Sequence, residues 1–274
     1  MPYMETKDAT RLYYKEWGTG NPVVFISGWG LSSEMWSYQM IDLSTKGLRC
    51  IAYDRRGHGR SDDPGGGYDY DTLADDLASL LDHLDLRGVT LAAHSMGSGE
   101  IVRYLTRYGS SRIDRLALIG TALPFPLKTA DNPDGFNREL IDSSRAMWKR
   151  DYPRWLFENE GPYFGAGLPG CSVSPEIVEW TKADMRQTSL KAILDCNLAV
   201  IETDFREELR DISLPALIVH GNKDCSFPIE MSGMVASRLL PNNQFVVYEN
   251  APHGLYITHM QRLNDDLLEF ALKK

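Results

Sequence analysis

The chain has 274 residues and a formal net charge of −9, from 29 Lys and Arg against 38 Asp and Glu. Hydrophobic residues make up 43% and charged residues 24%, which are the proportions of an ordinary globular protein. An acidic chain without a long run of Lys or Arg is a poor match for nucleic acid or for an anionic membrane surface, so neither is expected as a partner.

Two further features of the sequence predict the cellular compartment of the protein. The N-terminal stretch MPYMETKDATRLYYKEWG has no apolar segment of the secretory kind, and no apolar run approaches the roughly 18 residues that cross a bilayer. The four cysteines, Cys50, Cys171, Cys196 and Cys225, lack C-x-x-C spacing, so we expect separate reduced thiols. Together these features predict a cytoplasmic protein.

The first half of the chain alternates between predicted strands and predicted helices. Apolar β-rich runs occur at 22–27, 48–53, 89–94 and 114–120 (PVVFIS, LRCIAY, VTLAAH and DRLALIG). Such near-continuous apolar runs fit a parallel sheet that is covered by helices. Between these runs, leucines at 73, 77, 80, 81 and 84 form one face of a predicted helix, and a second helix is predicted to stop at Gly109.

This alternation stops near residue 122. From there to about 205 the sequence is helical and aromatic-rich around a predicted loop, EGPYFGAGLPG, and strand-like runs return at 214–224 and 244–254 before a last helix. We expect an α/β core of residues 1–121 and 206–274, with a helical cap of residues 122–205 inserted after the sixth strand. The cap would lie above the carboxyl ends of the strands, where open α/β sheets place their sites.

The stretch AAHSMGSGE (92–100) joins a predicted strand to a predicted helix. Its frame, Ala93-His94-Ser95-Met96-Gly97, departs from the nucleophile pattern G-x-S-x-G only at the first glycine. A serine on such a turn sits at a helix N-terminus, where unpaired N–H groups favour a developing negative charge. Ser95 is therefore a candidate nucleophile, although the pentapeptide alone is also compatible with a polar loop.

A serine nucleophile needs a base and a group that orients the base. His253 lies in a loop between the last strand and the last helix, and Asp224 follows the strand ALIVHG. The order Ser95, Asp224, His253 is the triad order of α/β-hydrolases, so we expect these three to act together. His94 is expected to point to the other side of the turn, and His220 to be a buried, hydrogen-bonded core residue.

The loop SGWG after the first predicted strand is the expected source of a second oxyanion donor. The N–H of Trp29 can face the site beside the N–H of Met96. Gly28-x-Gly30 also suggests a dinucleotide loop, but Ser33 stands where the third glycine belongs, and no clear ribose-binding acid follows a second strand. Nucleotide binding is therefore not expected.

These stretches resemble the α/β-hydrolase superfamily and, more closely, the bacterial non-haem haloperoxidase and aryl-esterase branch. The resemblance covers nearly all of the core, is weak in the insertion, and is carried by SGWGLSSEMWSYQM, YDRRGHGRSD, HSMGSGEIVRYLTRYG, LIVHGNKDCSFP and APHGLYITH. It implies the triad and the two oxyanion donors named above, with no metal and no organic cofactor. Two departures from the branch can change the pocket: Ser27-Gly28 replaces the branch's usual His-Gly, and Ala93 replaces the first glycine of the G-x-S-x-G pattern.

The expected function is hydrolysis of small apolar carboxylic esters through an acyl-serine. Trp148 and Trp155 are expected to line the substrate pocket, with Tyr163, Phe164 and Trp180 as further candidates. A lactonase acting on N-acyl homoserine lactones or related lactones remains open, as do a carbon–carbon hydrolase, an acyltransferase and a small-molecule receptor without turnover. The resemblance also implies perhydrolysis as a side activity. Cys225 is expected to be buried and inert, and the sequence indicates no oligomeric state.

Overall fold

The computed structural model describes residues 2–273 and is built on one eight-stranded sheet. The strand order is β1-β2-β4-β3-β5-β6-β7-β8. The strands are β1 (Tyr3–Glu5), β2 (Arg11–Trp17), β3 (Asn21–Ile26), β4 (Leu48–Tyr53), β5 (Val89–His94), β6 (Ile113–Ile119), β7 (Ala216–Gly221) and β8 (Asn243–Tyr248). Strands β3 to β8 pair in parallel, whereas β1 and β2 add an antiparallel edge.

Helices connect the strands, and several of them form the cap. They are α1 (Ser37–Ser44), α2 (Tyr70–His83), α3 (Gly97–Tyr108), α4 (Arg138–Phe164), α5 (Pro175–Met185), α6 (Leu190–Glu202), α7 (Arg206–Arg210), α8 (Gly233–Leu239), α9 (Leu255–Thr258) and α10 (Met260–Leu272). Helices α4 to α7 lie between β6 and β7 in the chain. The predicted mostly parallel sheet with a helical cap after the sixth strand is confirmed. Among residues 2–273, no helix is long and apolar enough to cross a membrane.

Alternate residues of β3 show how the sheet divides the core. Val23 and Phe25 belong to the buried cluster that includes side chains of α1 and α10. Val24 and Ile26 belong to the cluster that includes side chains of α2, α3 and α8. Because successive side chains of a strand point to opposite faces, the continuous apolar run of β3 buries both faces of the sheet.

The order of the strands determines where a site can form. After β3 the chain first places β4 on one side and then returns to place β5 on the other side. The loops that leave the carboxyl ends of β3 and β5 therefore diverge, and a crevice opens between them. This crevice lies between the Trp29 loop and the turn that carries Ser95.

The structure corrects the sequence prediction at three places. The predicted strands at 214–224 and 244–254 extend too far, because β7 ends at Gly221 and β8 ends at Tyr248. Of the six strands expected before the cap, the first two, β1 and β2, have no positions assigned from the sequence, because their half-exposed edge lacks a continuous apolar run. The predicted loop EGPYFGAGLPG is wrong for its first part, because α4 continues through Phe164 and ends where Gly165 adopts a left-handed conformation (φ 69°). Helix α4 is kinked instead at Asp151, whose backbone is not helical (φ −160°, ψ 75°).

Candidate active site

Ser95 lies on a sharp turn between β5 and α3. Its φ is 54°, in the left-handed region that a serine seldom adopts, and its side chain is buried except for a small fraction. The turn is held on both sides, since the Ser95 N–H donates to Ile119 O at 2.9 Å and the Ser95 carbonyl accepts from the Ser98 N–H at 3.1 Å. The backbone thus pushes the hydroxyl of Ser95 out of the strand and into a cavity.

The two small residues that flank this turn have different freedom. A Cβ at Gly97 would come within 2.9 Å of the Ile26 carbonyl oxygen and 3.0 Å of the Ser27 carbonyl oxygen, so glycine is required by close backbone packing. The methyl group of Ala93 is fully buried inside the apolar core. The turn therefore tolerates alanine at its first small position but not at its second.

Asp224 and His253 meet at the same end of the sheet. Asp224 Oδ2 lies 2.6 Å from His253 Nδ1, while Oδ1 accepts backbone N–H bonds from Ser226 at 2.9 Å and Phe227 at 2.8 Å. Burial alone would raise the pKa of the Asp224 carboxyl, but the His253 imidazole and hydrogen bonds hold the pKa below its usual value. The ionised carboxylate can only accept, so His253 carries its proton on Nδ1 and leaves Nε2 free as a base.

His220 is buried and hydrogen-bonded, as expected, but it also faces the acid. Its Nε2 lies 2.9 Å from the Phe227 carbonyl oxygen and 3.4 Å from Asp224 Oδ2. Since both neighbours are acceptors, the Nε2 of His220 carries a proton. Sequence reasoning missed this contact, although the four-residue separation of His220 and Asp224 across a strand end is a usable signal.

The prediction that His94 points away from the site is wrong. Its ring centroid is 4.5 Å from that of His253, and its Nε2 is 3.0 Å from the His253 carbonyl oxygen. Burial lowers the pKa of His94 to about 3, so the neutral ring donates its Nε2–H to that carbonyl. His94 is the last residue of β5, and its side chain lies on the face of the sheet over which the loop that carries His253 passes.

The loop after β3 brings Trp29 next to this site. Trp29 and Met96 both border the same cavity as Ser95 and His253. Among residues 2–273, the backbone N–H groups of Trp29 and Met96 make no backbone hydrogen bond. The Trp29 indole N–H donates to the carbonyl oxygen of Ile193 in the cap at 2.8 Å. Two main-chain donors are thus available beside the serine.

A cavity of about 420 Å³ connects the serine to the cap. Trp148 and Trp155 both line it, and their rings pack against Trp29 with centroids 4.8 and 5.6 Å away. Most of the other lining is apolar and includes Leu31, Phe136, Leu140, Ile141, Leu156, Tyr163, Phe164, Met185, Val200, Ile201 and Phe227. Such a lining suits an apolar group of moderate size.

Two other sequence expectations about the pocket are wrong. Trp180 does not line this cavity; it is partly exposed on the outside of the cap, where its ring meets Tyr38 at 5.8 Å. Cys225 is exposed rather than buried and borders the cavity, because the turn after Asp224 lifts its side chain off the core. Within residues 2–273, no cluster of three or more His, Cys, Asp or Glu side chains is arranged to hold a metal ion.

Comparison with known proteins gives consistent similarities. A family model described as alpha/beta hydrolase fold matches residues 21–159. A non-heme chloroperoxidase of Kitasatospora aureofaciens is 39% identical over all of both chains. A bifunctional esterase/perhydrolase of Acinetobacter calcoaceticus is 37% identical over 98% of this chain and 99% of its own length. The crystal structure of a bromoperoxidase from Bacillus anthracis covers all of both chains with 37% identity and a TM-score of 0.94.

Proposed function

Because the chain belongs to the α/β-hydrolase family, among relatives named non-haem haloperoxidases, we propose that it hydrolyses small apolar carboxylic esters through an acyl-serine. One observation carries the proposal. Ser95, strained at φ 54°, opens into the same cavity as His253, whose Nδ1 is bound to Asp224 at 2.6 Å. A serine and a base that is oriented by a buried carboxylate form the arrangement that acyl transfer requires.

In the proposed first step, His253 Nε2 removes the proton of Ser95 as the serine oxygen attacks the ester carbonyl. The negative charge on the carbonyl oxygen is stabilised by the N–H groups of Trp29 and Met96, each worth on the order of a hundredfold or more in rate. The protonated His253 then gives its proton to the departing alcohol, and an acyl-serine remains. Asp224 keeps the imidazole in the required tautomer throughout.

In the second step, His253 removes a proton from a water molecule that attacks the acyl-serine. The same two N–H groups stabilise the second oxyanion, and the serine is released with its proton returned from His253. The free product is a carboxylic acid. Both steps consist only of nucleophilic attack, loss of the leaving group and proton transfer through His253.

The cavity supports apolar substrates of moderate size. Tryptophans 29, 148 and 155 form one wall, and aliphatic side chains from α4 and α6 form much of the rest. Burying each methylene group of an acyl or alkyl chain against such a wall contributes about 0.8 kcal/mol. We therefore expect kcat/KM to rise with chain length until the cavity of about 420 Å³ is filled.

The proposal is tested with a panel of p-nitrophenyl esters and lactones, followed by proton release at constant pH. The wild type is expected to turn over the esters, whereas Ser95→Ala is expected to lose activity by a factor of about 10⁴ or more because the nucleophile is gone. An inert wild type, or an equally active Ser95→Ala, contradicts serine hydrolysis. The ratio of kcat/KM for esters to that for acyl homoserine lactones separates an esterase from a lactonase.

Perhydrolysis is a second proposed activity, and it is favoured by the relative named as an esterase/perhydrolase. Hydrogen peroxide would replace water in the second step, so that its oxygen attacks the acyl-serine and a peracid leaves. His253 would take the peroxide proton and return it to Ser95. Peracid formation from acetate esters and hydrogen peroxide, absent in Ser95→Ala, is the expected result, whereas peracid formed equally by that variant contradicts it.

A further inference from the structure

The loop of residues 27–33, which carries Trp29, is fastened to the core at its beginning. The buried Arg55 guanidinium donates to the Ser27 carbonyl oxygen at 2.7 Å and to the Gly28 carbonyl oxygen at 3.4 Å. The same guanidinium forms an ion pair with Glu100 of α3, and both side chains are buried. The start of the loop is therefore tied to the helix that follows Ser95.

The middle of the loop is fastened to the cap, whereas its last residue returns to the core, where the Ser33 N–H donates to Asp54 Oδ1 at 2.7 Å. The Thr188 hydroxyl donates to the Gly30 carbonyl oxygen at 2.9 Å. Asp184, near the end of α5, accepts two hydrogen bonds from one loop residue: the Ser32 N–H donates to Oδ2 at 2.9 Å, and the Ser32 hydroxyl donates to Oδ1. With the Trp29 indole bond to Ile193, these contacts tie residues 29–32 of the loop to the cap.

Burying the Asp184 carboxylate at this contact costs folding stability. The residue is only 5% exposed, and its carboxylate has no ion-pair partner anywhere in residues 2–273. Lys182, two residues earlier in α5, is instead paired with Glu160 and Glu179. A buried carboxylate without a cation costs stability, whereas an apolar side chain at the seam between cap and core would not. The two bonds to Ser32 are therefore the best physical reason for an acid at this position.

We propose that Asp184 is a positioning residue of the oxyanion hole: by accepting both hydrogen bonds from Ser32, it holds the loop so that the Trp29 N–H faces the oxyanion formed at Ser95. This inference rests on the proposed function. It assigns the cap a role in the chemical step in addition to its role as a wall of the pocket. An oxyanion donor is effective when it lies about 2.7 to 3.1 Å from the developing charge, and a misplacement of about 1 Å can cost about a hundredfold in rate, so a loosened loop slows the reaction.

The first test is Asp184→Leu, which keeps the number and branching of the side-chain heavy atoms, removes both acceptors and removes the buried charge. We expect kcat to fall about 10- to 100-fold while KM changes less than about 3-fold, because one oxyanion donor is displaced. The affinity for a trifluoromethyl ketone, which forms a tetrahedral adduct with the serine, is expected to fall by the same factor as kcat. Asp184→Asn is expected to retain kcat within about 3-fold, since its amide can accept from the Ser32 N–H and donate to the Ser32 hydroxyl.

The matched control is Asp195→Asn on α6, which removes a partly exposed cap carboxylate that pairs with Lys191. Its kcat is expected to stay within about 2-fold of wild type. If Asp184→Leu is folded and keeps wild-type kcat, or if its loss appears in KM alone, the positioning role is wrong. Should Asp184→Leu not fold, Ser32→Ala removes one of the two bonds; a loss of about 3- to 10-fold in kcat supports the role, and an unchanged kcat contradicts it.

These outcomes are separate from a failure of the proposed function. Serine hydrolysis fails only if the wild type is inert on the ester panel or if Ser95→Ala remains active. A wild type that hydrolyses esters, a Ser95→Ala variant that does not, and a fully active Asp184→Leu would overturn the positioning role alone.

Discussion

At the scale of single residues, both carboxylate oxygens of Asp224 accept hydrogen bonds in the folded protein. Oδ1 accepts from two backbone N–H groups, those of Ser226 and Phe227, and Oδ2 accepts from His253. This arrangement determines what an amide would do at the same position. The oxygen of an asparagine would turn toward the two backbone donors, and its NH₂ group would then face His253 Nδ1.

Asp224→Asn is therefore expected to reverse the tautomer of His253. With Nδ1 forced to accept, Nε2 carries the proton and is unable to take one from Ser95, so kcat should fall by a factor of about 10³ to 10⁴ with little change in KM. Steady-state kinetics on a p-nitrophenyl ester measure this loss, and Asp211→Asn on the exposed surface is the control. A loss below about tenfold would mean that Asp224 does not orient the base.

The stability of the protein is expected to depend on pH through Asp184. Burial raises the pKa of this carboxyl to about 6, and the nearby charges of Asp54 and Glu34 act in the same direction. Between the unfolded pKa near 4 and the folded pKa, the folded chain binds more protons, so the free energy of unfolding falls as the pH rises through this window.

Asp184→Asn removes this titration. Relative to wild type, its free energy of unfolding is expected to rise by about 2 kcal/mol between pH 4.5 and pH 7.5. Urea unfolding of both proteins at a series of pH values gives the difference between their free energies of unfolding. The contributions of the other carboxyl groups are the same in both proteins and cancel in this difference. A difference that does not change with pH would show that the pKa of the Asp184 carboxyl is not raised in the folded protein.

The sequence predicted part of this site and missed another part for a physical reason. Ser95, Asp224 and His253 were predicted because each follows a strand and their order is characteristic. Positions at strand ends predict which loops meet, but they do not determine where a side chain such as His94 or His220 points. Asp184 has no sequence signal, since its partner Ser32 lies 152 residues away and the contact exists only after cap and core have packed.

At the scale of secondary-structure elements, burial determined what could be predicted. Strands with mostly buried residues, β3 to β6, appear as continuous apolar runs and were predicted within one residue of their observed ends, whereas the run predicted for β7 extends three residues too far. Strands β1 and β2 form an antiparallel edge with exposed positions and gave no such run. For α4 the glycines and prolines of residues 160–170 suggested a loop, yet the helix extends to Phe164 because its end packs beside the His253 loop.

At the scale of the whole molecule, the cap shares the core of the sheet instead of having a separate one. Ala192, Cys196 and Val200 of α6 are buried in the same cluster as residues of β3 and β5, and Trp148 and Tyr152 of α4 belong to the other cluster. The hydrogen bonds of Asp184 and Thr188 cross the same seam. The sequence predicted a helical insertion, but this sharing depends on long-range packing that periodicity does not encode. The boundaries of the cap at residues 122 and 205 remain a proposal.

Because the apolar clusters run through the seam, cap and core are expected to unfold together. A cap with its own core would melt separately, whereas a shared core loses its buried area from both parts at once. Calorimetric and van't Hoff enthalpies should agree, and thermal transitions followed by tryptophan fluorescence and by far-UV circular dichroism should coincide. Thr188→Val, which removes one hydrogen bond across the seam, should lower the single Tm by about 2 °C without splitting it. Trp29, Trp148 and Trp155 lie at the seam and contribute to the fluorescence signal. A fluorescence transition at a lower temperature than the circular dichroism transition would therefore mean that the cap opens alone. Activity would then disappear with the first transition, because the Trp29 loop would lose its support before the sheet unfolds.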